Sequence, residues 1–341
     1  MENANPQRHE EVTIHERINS REIKERFIKG KHCSLEELRV QMPRQRPVDY
    51  MLKYLMKYIP PYPTPAEFWV SDVAHVTEEY GFMGILKSEQ FRPPVSDFSW
   101  WDIKINKEEI RAAEMRYVEK NFSIQAEELK KPEAFMETFT TSPLFQPEKS
   151  RYGNYRFTFP LTDLMQWYKK QNCGGEEPVL RVYETITYRQ EIVYTVLIHS
   201  PEDNKLFEEY PLLEASEWVR YKDGRIIWNA QAISETHWYQ FVSGEVQRLN
   251  TYQFYVWDQV SLVFHLPNCK KIEIDRKRLI NALEACKLDN IDLSGYRGPK
   301  DQEERFSEAK MKVSELKREL EEEEKEKEIK DDDKIKMEVD P

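Results

Sequence analysis

Several signatures of common protein classes are missing from this 341-residue sequence. It contains no run of 18 apolar residues, so no membrane-spanning helix is predicted. Residues 1–11 carry no apolar core segment, so no secretory signal is predicted there. The motifs G-x-G-x-x-G, Walker A and G-x-S-x-G are also missing, which argues against a kinase, a P-loop NTPase and an α/β-hydrolase.

Cysteine is scarce in this chain. The sequence therefore predicts neither a disulfide framework nor a cysteine-based zinc site, because its cysteines form no C-x-x-C pair. A reducing, intracellular location in the cytoplasm or nucleus is the expectation that follows. The four cysteines are Cys33, Cys173, Cys269 and Cys286.

The histidines do not predict a metal site. His199, His237 and His265 each lie in a predicted strand, and Glu235 stands two residues before His237. No spacing typical of zinc ligands emerges from them. A histidine within a strand more often belongs to the core, so no bound metal is expected.

The composition is that of a globular chain with polar extensions. Apolar residues make up 39%, charged residues 33% and aromatic residues 12%, so a real core can form. The length suggests roughly two domains. The formal net charge of -11, from 51 basic and 62 acidic residues, leaves no basic stripe for phosphates. General binding of nucleic acid is therefore not expected.

The sequence divides into four regions. Residues 1–45 are polar and mixed in charge and are predicted to be mostly flexible, with Ser34 and Glu37 as a capping box on a short helix. Residues 46–200 alternate predicted strands and helices. Residues 201–298 form a β-rich extension that is expected to pack on the core. Residues 299–341 are predicted to be a charged helical or disordered tail.

The tail combines a short apolar repeat with a long run of charge. The repeat lasts only about two heptads, which is too short to argue for a coiled coil. The pattern instead predicts a solvated helix that frays into a disordered end. Removal of residues 300–341 is therefore expected to cost the core little stability. The residues of the repeat are Phe306, Ala309, Val313, Leu316 and Leu320.

Residues 74–93, AHVTEEYGFMGILKSEQFRP, place a histidine at the end of a predicted strand. Thr77 is the expected N-cap of the helix that follows, and its first turn is acidic, as the helix dipole favours. His75 is either a partly buried ring bonded to backbone or a ligand contact. The apolar face of the predicted helix carries Phe82, Ile85 and Leu86.

Further elements follow from capping, alternation and turn signals. Asn106 with Glu109 predicts the start of a helix, and residues 155–160 alternate as a strand does. A short helix is expected from Thr162, closed by glycines after residue 173. Asp223–Gly224 between two alternating runs predicts a β-hairpin.

Glu184 stands out in the predicted strand of residues 178–188. With a period of two, this acid shares a face with four other residues that are mostly apolar. Burying an acid in such a row costs free energy unless the acid has a partner or faces a cleft. The alternative is that the row lies at the edge of the sheet and Glu184 is exposed to solvent. The predicted face carries Leu180, Val182, Glu184, Ile186 and Tyr188, and the other face carries Val179, Arg181, Tyr183, Thr185 and Thr187.

The order of these segments resembles a known fold. A histidine before a small helix, an aromatic and serine-containing segment (139–155) and a strand with Glu184-Thr-Ile-Thr-Tyr188 are similar to the His, Tyr and Glu motif of ADP-ribosyltransferases of the poly(ADP-ribose) polymerase type. The resemblance covers about residues 68–200. It implies an α+β fold whose core is a mixed or antiparallel sheet with flanking helices, extended in this chain by the β-rich segment.

The resemblance also implies roles for individual residues. His75 would hold the adenosine ribose of NAD, and Ser150 would bond the carboxamide. Tyr155, with Tyr152 as the alternative, would stack on nicotinamide. Glu184 would accept the 2′-hydroxyl of the nicotinamide ribose. A carboxylate there stabilises the oxocarbenium-like sugar that forms when the glycosidic bond breaks.

The match departs from the family at the nicotinamide end. Val76 stands where the family has a glycine whose backbone would contact the carboxamide, and Gln90 replaces a second glycine. The expected function is NAD binding with transfer of mono-ADP-ribose to a protein, NAD serving as substrate. The alternatives are a catalytically silent interaction module of the same fold and a scaffold acting through the charged tail. The whole chain is also similar to fish proteins with a suggested interferon link, which points to innate immunity.

Overall fold

The computed structural model has a mixed α+β architecture. It describes residues 12–19, 24–41, 66–93, 96–122, 143–145, 148–150, 152–188, 191–231, 233–234, 239–242, 245–248, 254–288 and 302–339. Within them no helix has the length and apolarity that a membrane crossing demands. The predicted segment 139–142, as well as Glu235 and His237, lies outside the described residues.

Strands and helices are interspersed along the chain. The strands are β1 (Ile14–Ile18), β2 (Lys24–Lys29), β3 (Ala66–Val70), β4 (Asp72–Thr77), β5 (Gln90–Phe91), β6 (Phe98–Lys104), β7 (Lys149–Ser150), β8 (Tyr155–Pro160), β9 (Val179–Tyr188), β10 (Glu191–His199), β11 (Val219–Lys222), β12 (Arg225–Ala230), β13 (Ile233–Ser234), β14 (Tyr239–Val242), β15 (Glu245–Arg248), β16 (Phe254–His265), β17 (Ile272–Glu273), β18 (Leu283–Ala285) and β19 (Lys287–Leu288). The helices are α1 (Leu35–Gln41), α2 (Glu79–Ser88), α3 (Lys107–Phe122), α4 (Leu161–Asn172), α5 (Arg276–Ala282) and α6 (Gln302–Val339).

One large sheet organises the fold. Its strand order is β1-β2-β9-β10-β16-β6-β4-β8-β18, with β13 paired to β16. β10 and β16 run parallel, and the other pairs along this path are antiparallel. From Ile192 to Ile198 in β10 and from Asp258 to His265 in β16 the parallel pair is buried, as expected of strands that are covered on both faces. A smaller sheet has the order β11-β12-β3.

The two faces of the large sheet differ in character. The core face, marked by Trp101, Phe157 and Tyr194, belongs to the main hydrophobic cluster, to which each helix from α1 to α6 contributes. The second face is marked by Glu184, Ser261 and Asp102. These three follow from the pairings of β9, β10, β16 and β6, because residues directly opposite one another share a face. The second face therefore carries polar side chains in the middle of the sheet.

The amino-terminal region differs from its prediction. Residues 1–45 were expected to be mostly flexible, but β1, β2 and α1 lie within them. β2 joins the large sheet by pairing with β9, and Ile28 is buried in the main cluster. The capping box is confirmed: the Ser34 hydroxyl accepts from the backbone N–H of Glu37 at 3.0 Å, and Glu37 accepts from the Ser34 N–H at 2.7 Å.

The β-rich extension shares its sheet with the preceding region. β16 lies between β10 and β6 at the centre of the large sheet. The predicted boundary after residue 200 therefore separates two strands, β10 and β16, that pair with each other in the structure. The Asp223–Gly224 hairpin is confirmed between β11 and β12. Both turn residues have positive φ, 51° and 76°, as a type I′ turn requires.

The carboxy-terminal helix docks on the core, contrary to the expectation of a removable tail. Ala309 and Val313 of α6 are buried in the main cluster, and Leu316 and Leu320 pack against it. Ion pairs from Lys287 to Glu303 and from Lys312 to Glu79 tie the helix to its neighbours. The apolar repeat therefore marks a packed face, although it is only two heptads long.

Candidate functional site

A bulge in β9 decides which way Glu184 points. Glu184 pairs with Thr195 of β10, but Val182 pairs with the next residue, Val196, so Tyr183 is an extra residue. The strict alternation predicted for this strand is therefore wrong. Val182 lies on the core face, whereas Glu184 and Ile186 lie on the second face.

Glu184 is held by Arg17 in a two-point ion pair. The Arg17 Nη2 and Nη1 atoms donate to the two carboxylate oxygens of Glu184 at 2.7 Å and 3.0 Å. The Glu184 side chain is 2% exposed and that of Arg17 is 29% exposed. Burial raises the pKa of the Glu184 carboxyl above its ordinary value, and Arg17 opposes that shift. Such a buried charge depends on its partner.

Further contacts fix the position of Arg17. Its Nε atom donates to Glu25 at 3.0 Å, and its guanidinium lies 4.5 Å from the centroid of the Phe27 ring. The Trp100 ring centroid lies 6.0 Å away. Trp100 belongs to β6, five places along the sheet from β1, so the sheet curves and its second face is concave at this point. Arg17 thus covers Glu184 from the edge strand.

His75 lies on the core face and packs there. Its ring centroid is 5.2 Å from that of Phe91 and 5.3 Å from that of Trp101. The Nδ1 atom is 2.9 Å from the Trp100 carbonyl oxygen, so Nδ1 carries the proton and donates. Burial lowers the pKa of His75, which favours the neutral ring. The Nδ1 side of the ring is therefore held by backbone, and its faces pack on aromatic side chains.

The predicted tyrosine segment lies beside β4. Tyr155 is buried and stacks on Phe82 of α2, with ring centroids 4.1 Å apart and planes at 2°. Burial raises the pKa of its hydroxyl. Tyr152, the alternative, is half-buried in the preceding turn. The Ser150 hydroxyl, also buried, donates to the Gly153 carbonyl.

The structure brings part of the predicted constellation together. β4 and β8 are neighbours, so Val76 stands opposite Arg156 and His75 opposite Phe157. Glu184 is not part of this group, because β6, β16 and β10 separate its strand from β4. It also lies on the second face, whereas His75 lies on the core face.

Three of the four cysteines are buried, which keeps their thiols protonated. Burial raises the pKa of the Cys33 thiol to about 12 and those of Cys173 and Cys286 to about 11, so none is a thiolate at neutral pH. Among the described residues, no group of three His, Cys, Asp or Glu side chains could hold a metal ion.

Comparisons with known proteins give no relative for this chain. No model of a protein family matches it, no curated protein matches it, and no solved structure matches it.

Proposed function

We propose that this chain is an interaction module that binds a protein partner and does not transfer ADP-ribose. The observation that carries the proposal is the two-point pairing of Arg17 with Glu184. Each carboxylate oxygen of Glu184 already accepts one hydrogen bond from a guanidinium that also balances the negative charge of the carboxylate. Transfer would also develop positive charge on the sugar beside a positive guanidinium. The pair therefore disfavours the cation that a transferase must stabilise.

The outer side of α2 offers a surface for a partner. Tyr80 is 93% exposed and Met83 is 55% exposed, three residues apart and so on one side of the helix. Gly84 beside them has open space where a side chain would be, which allows another chain to approach closely. Large apolar side chains exposed together favour a contact with a protein partner.

The rival proposal is the NAD-dependent transferase with the poly(ADP-ribose) polymerase type of fold. The observation that favours it is the adjacency of β4 and β8, which places the histidine and tyrosine segments side by side as the resemblance implies. In that case Glu184 would have to act beside Arg17 or after Arg17 had withdrawn.

Binding of NAD distinguishes the two proposals. A ligand at 100 times its dissociation constant stabilises a protein by about 2.7 kcal/mol, which a thermal shift detects. We expect no shift with excess NAD for the parent or for Arg17→Ala, in which Glu184 is freed. A shift in Arg17→Ala that disappears in the Arg17→Ala/Glu184→Gln double variant would favour the transferase.

The surface is tested with a matched control on another helix. Tyr80→Ser/Met83→Ser removes the exposed pair, and Met311→Ser removes a side chain on α6 that is 66% exposed. A partner identified with the parent should bind Met311→Ser equally and the double variant more weakly. Equal binding to all three proteins would exclude the outer side of α2 as the contact.

A further inference from the structure

Residues 201–210 cover the carboxyl ends of the two parallel strands. β10 ends at His199 and β16 at His265, and both rings are buried beneath this segment. Phe207 of the segment lies 4.9 Å from the His199 ring and 4.8 Å from the His265 ring, between centroids. Phe207 and Tyr210 form a small apolar cluster with Leu197, separate from the main core. We call residues 201–210 the flap.

Arg181 of β9 ties the flap to the sheet. Its Nη1 atom donates to the Tyr210 carbonyl at 2.7 Å, and its Nη2 atom donates to Asn204 Oδ1 at 3.1 Å. Its Nε atom is 2.8 Å from His199 Nε2. One guanidinium therefore joins both ends of the flap to a histidine of the neighbouring strand.

The hydrogen bonds of His199 permit only its neutral form. Its Nδ1 atom lies 2.7 Å from the Ser200 carbonyl oxygen and must donate to it. Its Nε2 atom faces an Arg181 N–H and must therefore accept. A proton on Nε2 would set one donor against another and place a positive ring beside a guanidinium. Burial first, and then Arg181, lower the pKa of His199.

The other groups around His199 act in different directions. On the flap, Asp203 Oδ2 lies 2.9 Å from Nδ1 of His265 and holds that part of the flap to the end of β16. From α4, Tyr168 and Cys173 lie nearby and stay uncharged, because burial raises the pKa of each. Arg181, His265 and Asp203 are therefore the charged or chargeable neighbours of His199.

We propose that the flap is an acid-released element, held closed by neutral His199 through Arg181. When His199 takes up a proton, it loses its bond to Arg181, and Arg181 is pushed from the position in which it holds Asn204 and Tyr210. The flap then opens and uncovers Phe207, Tyr210 and the ends of the parallel strands. The Asp203–His265 pair keeps the front of the flap attached, so release is local.

Hydrogen exchange at two pH values tests the proposal on the full chain. Once rates are corrected for the pH dependence of chemical exchange, we expect residues 203–210 to exchange faster at pH 5.0 than at pH 7.5. If opening of the flap restores the ordinary histidine pKa of 6.5, uptake of one proton raises the equilibrium constant for opening by at most roughly 30-fold between pH 7.5 and pH 5.0. Residues 260–264 of β16 serve as the control and should stay protected at both pH values.

Two variants separate the flap from general acid unfolding. His199→Gln keeps an acceptor for Arg181 but cannot be protonated, so its flap should stay protected at pH 5.0. Arg181→Gln should expose the flap at both pH values, with β16 still protected. Equal protection of residues 203–210 at the two pH values in the parent would overturn the proposal. Simultaneous loss of protection in β16 and the flap would overturn it as well.

Discussion

Arg17 and Glu184 stand 167 positions apart in the chain, and Arg17 nevertheless binds both carboxylate oxygens of Glu184. The pairing is possible because β1 and β2 continue the sheet beyond β9. It gives the buried acid the partner that its environment requires. The same contact balances the negative charge that transfer of ADP-ribose would need, so in the function proposed above one ion pair bears on both stability and function.

The first prediction concerns removal of Arg17. Arg17→Met should lower the free energy of unfolding by about 3 kcal/mol near pH 8, because a buried charge then lacks its partner. Burial already raises the pKa of Glu184, and without Arg17 the pKa should rise further. A group whose folded pKa is raised loses stability as pH increases, so the loss should be smaller at pH 5. Urea unfolding of the parent and of Arg17→Met at both pH values measures this difference in unfolding free energy.

The control for this prediction is the double variant Arg17→Met/Glu184→Gln. It replaces the unpaired charge with a neutral amide and should recover part of the stability at pH 8. If Arg17→Met is as stable as the parent at pH 8, the ion pair contributes nothing to the fold.

A second prediction compares two glycines. A Cβ atom on Gly153 would lie 2.1 Å from the Thr77 carbonyl oxygen, where the turn before β8 meets the end of β4, so Gly153→Ala should destabilise strongly. Gly84→Ala is the matched control, because its Cβ would meet nothing within 4 Å and its helix gains up to about 1 kcal/mol. Melting temperatures should move in opposite directions. A harmless Gly153→Ala would show that the turn does not approach β4 so closely.

A third prediction concerns α6. Truncation after residue 299 should lower the melting temperature markedly, because Ala309 and Val313 are buried in the main cluster. Val313→Ala alone should cost about 2 kcal/mol, in line with burial of a side chain of this size. Met311→Ala, on the exposed side of the same helix, should change little. Equal stability of the truncated and full chains would mean that α6 does not dock.

A fourth prediction concerns His32. Its Nδ1 atom contacts the Ser216 hydroxyl and its Nε2 atom the Thr195 carbonyl, and burial lowers its pKa to about 4. The unfolded chain takes up this proton at about pH 6.5, before the folded chain does. Stability is therefore fully present above pH 6.5 and should fall by about 3 kcal/mol as pH drops to about 4.

The variant His32→Gln isolates this contribution, because glutamine can donate to Thr195 without titrating. Between pH 6.5 and 4, its unfolding free energy should depend on pH less steeply than that of the parent. Parallel curves for the two proteins would show that His32 does not stay neutral in the folded state.

Local signals in the sequence predicted much of the secondary structure. The Ser34–Glu37 capping box, the Asp223–Gly224 turn and the alternating strand 155–160 are present as predicted. Each depends on residues close together in the chain, where capping and turn chemistry act directly. The spacing of Leu279, Ile280 and Leu283 predicts a helix from Asp275 to Cys286. The helix ends at Ala282 instead, because Leu283 pairs with Phe157 in β8. Tertiary pairing overrode local propensity there.

The arrangement around Glu184 could not be predicted from local pattern. The bulge at Tyr183 leaves no mark in a two-residue period, yet it moves Glu184 to the second face. Arg17 was missed because its surroundings are polar and mixed in charge, although Ile14 and Ile28 pair across β1 and β2. A charged edge strand is common in sheets and can resemble a flexible segment. That Arg17 meets Glu184 depends on the order of the strands in the sheet, which the local pattern does not reveal.

We propose that Glu184, paired with Arg17, takes no part in transfer of ADP-ribose. The most direct measurement is release of labelled nicotinamide from NAD by the full chain, beside Glu184→Gln and a protein-free control. We expect equal, background release in all three. Release by the parent that falls on the order of 10² to 10³-fold in Glu184→Gln, as loss of a group stabilising the transition state would cause, would contradict it.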